Sequence, residues 1–143
     1  MNVASILRQK GRAVTTASPG ATLLDVANKL AAKRIGAIVI VGPRGKVAGI
    51  VSERDIIRAL SSQGPECLTR PVSENMTREV VGCQESDTLD ELMALMTERR
   101  FRHLPVMADN TLVGIISIGD VVKHHVADVT MEATAMRGYI THS

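Results

Sequence analysis

One seven-residue pattern occurs twice. Gly49-Ile50-Val51-Ser52-Glu53-Arg54-Asp55 returns 65 positions later as Gly114-Ile115-Ile116-Ser117-Ile118-Gly119-Asp120. Each copy reads Gly, two β-branched apolar residues, Ser, two variable residues and Asp. Such a repeat in a chain of 143 residues means two similar units. The match extends upstream at a spacing of 66, pairing Val14 with Val80, Thr22-Leu23 with Thr88-Leu89, Leu30 with Met96 and Ile40 with Val106. The spacing drops by one where Gly42-Pro43-Arg44-Gly45-Lys46 becomes Ala108-Asp109-Asn110-Thr111, as expected for a deletion in a turn.

Local signals give each unit the order β-α-β-β-α. Val14-Thr15-Thr16 reads as a short strand ending at Ser18-Pro19-Gly20. Thr22 with Asp25 reads as a capping box for a helix with Leu23, Val26, Ala27, Leu30 and Ala31 on one face. Ile38-Val39-Ile40-Val41 reads as a buried strand, and Val47 to Val51 returns beside it. Ser52 then caps a second helix. In the second unit Val80-Val81 is the short strand and Thr88 with Glu91 the capping box. Leu104–Met107 and Leu112–Ser117 form a hairpin around Asp109-Asn110, and Ser117 caps the last helix. Neither unit alone buries enough surface for comfortable stability, so the two should pack about a pseudo-twofold axis. The expected fold is α/β (α+β), with repeats at 4–62 and 72–126, a polar linker at 63–71 and a helical tail at 127–143. In that tail Val129, Ala133, Met136 and Ile140 follow a helical period.

Composition narrows the function. Phe101 and Tyr139 are the only aromatics, which argues against base-stacking platforms for nucleic acid. A net charge of +2 is too small to predict nucleic-acid binding. Cys67 and Cys83 have no partner motif, so reduced thiols are expected rather than a disulfide or a metal site. No apolar run approaches the ~20 residues that span a bilayer. The expectation is a cytoplasmic protein without a membrane anchor. No nucleophile elbow, phosphate-binding loop or zinc motif is present, and no enzyme activity is expected.

The duplicated signatures, with Arg100-Phe101-Arg102-His103-Leu104-Pro105-Val106, resemble a tandem pair of CBS domains, often called a Bateman module. The likeness covers the chain from about Ala4 to about Val126. It implies a regulatory module that binds an adenosine-containing ligand such as AMP, ADP, ATP or NAD(H), and no metal. It implies that Asp55 and Asp120 take the ribose hydroxyls, since a carboxylate has two acceptor oxygens for a vicinal diol. Ser52 and Ser117 sit at helix starts, which favour phosphate. Arg54, Arg102, His103 and Lys10 are the further phosphate candidates, whereas Arg99 and Arg100 read as surface residues. The adenine pocket implied is Thr15, Thr16, Gly36, Ala37, Ile38, Val80, Leu104 and Pro105.

The two copies differ where Gly36-Ala37 in the first stands for Arg102-His103 in the second. Lys33, Arg34 and Arg54, with Lys10 ahead of the first strand, read as cations near the first unit's cleft. The small Gly36 and Ala37 suggest room for a larger ligand there, with a mononucleotide in one cleft and a dinucleotide such as NAD(H) in the other. The resemblance also implies a homodimer and an effector protein that reads the bound state. The alternatives weighed are an S-adenosylmethionine sensor and a nucleic-acid-binding module.

Overall fold

The computed structural model describes residues 1–142, with side chains through residue 135. Two units of like topology pack about a pseudo-twofold axis. Helix α1 spans Val3–Lys10. The first unit then runs through β1 (Thr16–Ala17), α2 (Leu23–Lys33), β2 (Ala37–Val41), β3 (Val47–Ser52) and α3 (Glu53–Gln63). The second runs through α4 (Leu89–Arg99), β4 (His103–Ala108), β5 (Thr111–Ser117) and α5 (Ile118–His142). Strand β2 pairs parallel with β1 and antiparallel with β3.

The second unit lacks the expected strand at Val80-Val81. A single parallel bridge, Cys83 to Val106, stands there instead. It is the counterpart of Ala17 beside Ile40 in the first unit, so the register of 66 survives although the strand does not. The Cys83 amide donates to the Pro105 carbonyl at 2.9 Å and the Met107 amide to the Cys83 carbonyl at 2.9 Å. Burial and the neighbouring Asp87 push the Cys83 thiol up to about 12, which leaves it protonated and unreactive at neutral pH.

Helix α2 has the full capping box, with Asp25 donating its amide to Thr22 at 3.1 Å and Asp25 Oδ2 accepting from the Thr22 amide at 3.4 Å. At α4 only half of the expected box forms. Thr88 Oγ1 accepts from the Glu91 amide at 3.1 Å, and Glu91 does not return the bond. The hairpin between β4 and β5 turns through Asp109 and Asn110, both in the left-handed region at φ 51° and 64°. Asp and Asn tolerate this conformation better than other side-chain-bearing residues.

Two segments outside the expected elements complete the cores. Asn2 Oδ1 accepts from the Ser5 amide at 3.0 Å and starts α1. Val3, Ile6 and Leu7 then line one face at helical spacing and are buried with Leu92, Leu104 and Ile116 of the second unit. Each such burial contributes about 2 kcal/mol. The segment read as a polar linker is likewise structural. Cys67 and Val72 have no exposure and join Leu23, Ile38 and Ile56 in the first unit's core.

These two lead-in segments are equivalent. The Val3 amide donates to the Asp87 carbonyl at 2.9 Å, and the Val72 amide to the Ala21 carbonyl at 2.7 Å. Ala4 donates to Glu85 at 3.0 Å, as Ser73 does to Pro19 at 3.2 Å. Leu89 donates to Met1 and Leu23 to Arg70, both at 3.1 Å. The chain ahead of each unit therefore packs on the other unit, which ties the two together.

Helix α5 continues without a break from the second unit into the tail. Val129 and Ala133 are exposed there. The side chains of Met136, Tyr139, Ile140 and His142 lie outside the described residues.

Candidate functional site

Each signature folds into the same local device. Ser52 is extended and caps α3. Its amide donates to Asp55 Oδ2 at 2.9 Å and its hydroxyl to the same oxygen at 3.2 Å, while the Asp55 amide donates to Ser52 Oγ at 3.4 Å. In the second unit Asp120 Oδ2 accepts from the Ser117 amide at 2.8 Å and hydroxyl at 2.9 Å, and the Asp120 amide donates to Ser117 Oγ at 3.1 Å. One carboxylate oxygen is thus spent on the helix start. The other, Oδ1, already meets Thr77 and Arg58 in Asp55, whereas in Asp120 it has no protein donor among the described residues.

The signature glycines serve the lead-in segments. A Cβ on Gly49 would lie 2.7 Å from Met76 Sδ and 2.8 Å from the Thr77 carbonyl oxygen. A Cβ on Gly114 would lie 2.7 Å from Leu7 Cδ2. Only glycine lets the crossing chain come this close to the strand.

That crossing makes both clefts composite. The first, about 500 Å³, sets Ile50, Ser52, Arg54 and Asp55 of one unit against Thr77, Glu79, Val81, Arg102, His103 and Pro105 of the other. The second, about 320 Å³, sets Ile115 and Ser117 against Ala13, Val14, Thr15, Gly36 and Ala37, with Lys10, Arg34 and His103 at its wall.

Sequence reasoning placed several cations in the wrong cleft. Arg102 lines the cleft that holds Asp55, not the one beside its own unit's Asp120. Lys10 does the reverse. Its ammonium donates to Asp120 Oδ2 at 2.5 Å and to the Ile115 carbonyl at 2.8 Å, so it belongs to the second cleft although it precedes the first unit. Arg99 and Arg100, expected at the surface, line the first cleft. Arg58 and Thr77 line it too and were not foreseen. Arg34 and Arg100 both end a helix in the left-handed conformation, at φ 54° and 58°, and are related by the repeat spacing. Each lines the cleft that carries the other unit's signature serine. That shared spacing was the available signal.

Of the implied adenine pocket, Gly36, Ala37, Thr15 and Pro105 line a cleft. Ile38 and Leu104 do not, being fully buried in the two cores. Thr16 and Val80 line neither cleft, and Val81 takes the place read for Val80. The space beside Gly36 is not open. His103 occupies it, with Cε1 3.0 Å from where a Cβ would stand. The Gly36-Ala37 and Arg102-His103 pairs thus meet, and His103 lines both clefts.

The electrostatics of the two clefts differ. In the first, Arg54, Arg58, Arg99, Arg100 and Arg102 face Glu53, Asp55 and Glu79. Asp55 Oδ1 accepts from the neutral Thr77 hydroxyl at 3.3 Å and from Arg58 at 3.5 Å. In the second, burial alone would raise the Asp120 pKa. The Lys10 ammonium and the Ser117 donors outweigh it and hold that carboxyl below its ordinary value. Burial lowers the His103 pKa, aided by the charges of Lys10 and Arg102 and opposed by Glu53 and Asp120.

Known proteins share this arrangement. The sequence pattern of the CBS domain family matches residues 4–62 and 72–127. The crystal structure of the CBS-domain containing protein ATU1752 from Agrobacterium tumefaciens superposes with a TM-score of 0.85 at 46% identity, over 87% of this chain and 99% of that one. The CBS domain pair of MJ0100, solved with 5′-methylthioadenosine and S-adenosylmethionine, gives 0.80 at 26% identity, over 90% and 98%. PAE2072 from Pyrobaculum aerophilum, solved with AMP, gives 0.75 at 26% identity, over 84% and 89%. With two matched segments and a shared fold along most of its length, the chain belongs to the CBS domain family as a tandem pair.

Proposed function

We propose that the chain is a regulatory module whose two clefts bind adenosine-containing ligands. The observation that carries this reading is the composite first cleft, where Asp55 of one unit faces Thr77, Arg102 and His103 of the other. A ligand held there touches both units and stabilises one arrangement of them over another. Ligand can shift an equilibrium only by its difference in affinity for the two states, and a cleft between two packed units supplies such a difference. The relatives solved with AMP and with S-adenosylmethionine support an adenosine core. The functional pair is taken as repeats 4–62 and 72–126, joined through 63–71, with the 127–143 helix beyond them.

Asp55 and Asp120 are the ribose acceptors in this reading, and Ser52 and Ser117 offer helix starts to phosphate. Five arginines around the first cleft complement a polyphosphate or a dinucleotide better than a sulfonium cation. ADP, ATP or NAD(H) therefore suits the first cleft, and a mononucleotide such as AMP the smaller second one. The readout lies in an effector protein or a second copy of the chain. Ile57 and Val122, 66% and 56% exposed on α3 and α5, offer apolar surface for either.

Calorimetry with AMP, ADP, ATP, NAD(H) and S-adenosylmethionine tests this. Asp55→Ala and Asp120→Ala should each remove one binding event, with about thirtyfold weaker affinity at that cleft for the loss of a charged acceptor. Absence of binding by every adenosine compound at millimolar concentration would sink the proposal.

A further inference from the structure

Three arginines hold left-handed backbone, the region that favours glycine: Arg34 at φ 54°, Arg44 at φ 64° and Arg100 at φ 58°. Arg34 and Arg100 end α2 and α4. At the first of these the helix stop sets the conformation. The Arg34 amide donates to the Ala31 carbonyl at 3.3 Å and the Ile35 amide to the Leu30 carbonyl at 3.1 Å, a pattern whose left-handed residue is most often glycine. The next residues, Ile35 and Phe101, pack against the two cores, so the chain turns inward at both places. The helix dipole does not call for these arginines, since Lys33 and Arg99 already place a cation in each last turn. Neither Arg34 nor Arg100 is in an ion pair among the described residues. Arg34 lines the second cleft and Arg100 the first, whereas Arg44, in the turn between β2 and β3, lines neither.

We propose that Arg34 and Arg100 are equivalent specificity-determining residues, one in each cleft, whose guanidinium takes the anionic group of the ligand and selects phosphorylated adenosine over adenosine. This rests on the adenosine reading above and adds to it a charge-reading residue, supplied in each cleft by the unit opposite the signature helix. A guanidinium presents a planar fork of N–H groups that matches two phosphate oxygens, and it stays charged across the physiological range. Having no ion pair in the protein, it turns to a ligand without leaving a buried carboxylate behind. Glycine at either position would close the helix with less strain and would leave the cleft without that fork. The consequence is larger in the second cleft. Of the lysines and arginines lining it, Lys10 is held by Asp120, which leaves Arg34. In the first cleft Arg54, Arg58, Arg99 and Arg102 stand beside Arg100.

The test pairs urea melts with an NMR titration of the full chain by AMP and by adenosine, followed at the amides of Val14 and Ile115 in the second cleft and of Asp55 and Thr77 in the first. Arg34→Gly should weaken AMP at the second cleft about tenfold and leave adenosine there unchanged. Arg100→Gly should weaken AMP at the first cleft about threefold, because the other arginines remain. Arg34→Asn and Arg100→Asn, whose side chain tolerates the left-handed region, should act as the glycine variants do. Arg44→Gly should leave both ligands unchanged, and all three glycine variants should unfold at higher urea than wild type. Unchanged AMP affinity in Arg34→Gly and Arg100→Gly, or equal weakening of AMP and adenosine, overturns the role of the two arginines, while binding by wild type keeps the adenosine reading. Lower urea midpoints in Arg34→Gly and Arg100→Gly alone would assign these arginines to holding the helix ends and overturn it too. Silence of both wild-type clefts toward both ligands overturns the adenosine reading and the selection by charge together.

Discussion

The two clefts present the same signature, yet they are closed by different partners. Around Asp55 the crossing chain is extended, so backbone atoms and a hydroxyl meet the strand. Around Asp120 the crossing chain is a helix, so one long cationic side chain does that work. The difference follows from what precedes each unit. Asn2 caps a helix that places Leu7 and Lys10 on the second unit. The segment through Val72 forms only short 3₁₀ turns, with Pro65 and Pro71 at their starts, and delivers Met76 and Thr77 instead. A duplicated signature thus fixes how a carboxylate is presented, and the lead-in segment decides what else surrounds it.

The sharpest way to break the comparison is at the signature glycines. Gly49 faces a backbone carbonyl as well as Met76, and backbone cannot step aside. Gly114 faces only the flexible Leu7 side chain. Gly49→Ala should therefore destabilise by about 3 kcal/mol and Gly114→Ala by about 1 kcal/mol, read from denaturant midpoints. Equal costs would mean that the two crossings are not built as described.

A smaller effect should separate the clefts by pH. The folded His103 pKa lies below its ordinary 6.5. As pH falls through that value the unfolded chain takes up a proton that the folded chain refuses, so stability declines until the folded pKa is passed. The folded Asp120 pKa lies below 3.8, so its ion pair with Lys10 stabilises above that value and the contribution is lost as pH falls further. Urea melts between about pH 7.5 and about pH 5 should show the first decline. His103→Asn should flatten it, whereas Lys10→Met should remove most of the loss in the lower window and, by taking away one of the charges that lowers the His103 pKa, make the upper decline shallower. A pH-independent wild type over that upper range would contradict the burial assigned to His103.

Much of the fold was legible because its signals are local. Thr22 with Asp25, Asp109-Asn110 and the β-branched run at Ile38–Val41 each fix their own few residues. Helix α1 was not read, although the signal was there, since Asn2 and the spacing of Val3, Ile6 and Leu7 are a cap and an apolar face. Cys67 and Val72 were not, because short 3₁₀ turns carry no periodicity and their polar neighbours dominate the composition. At the site, the signature serines and aspartates could be read, and so could the asymmetry between Gly36-Ala37 and Arg102-His103. Their assembly could not. Lys10 and Asp120 stand 110 residues apart in sequence, and nothing near either shows that the chain crosses between units.

The composite cleft is the central claim, and a single titration tests it most directly. Amide spectra recorded with increasing AMP should show Ser52 and Asp55 moving together with Thr77 and Val81, under one dissociation constant. Val14 and Thr15 should move with Ile115 under another, and Asp55→Ala should silence Thr77 and Val81 without silencing Val14. Shifts that keep within one unit, or that join Asp55 to Val14 rather than to Thr77, would contradict it.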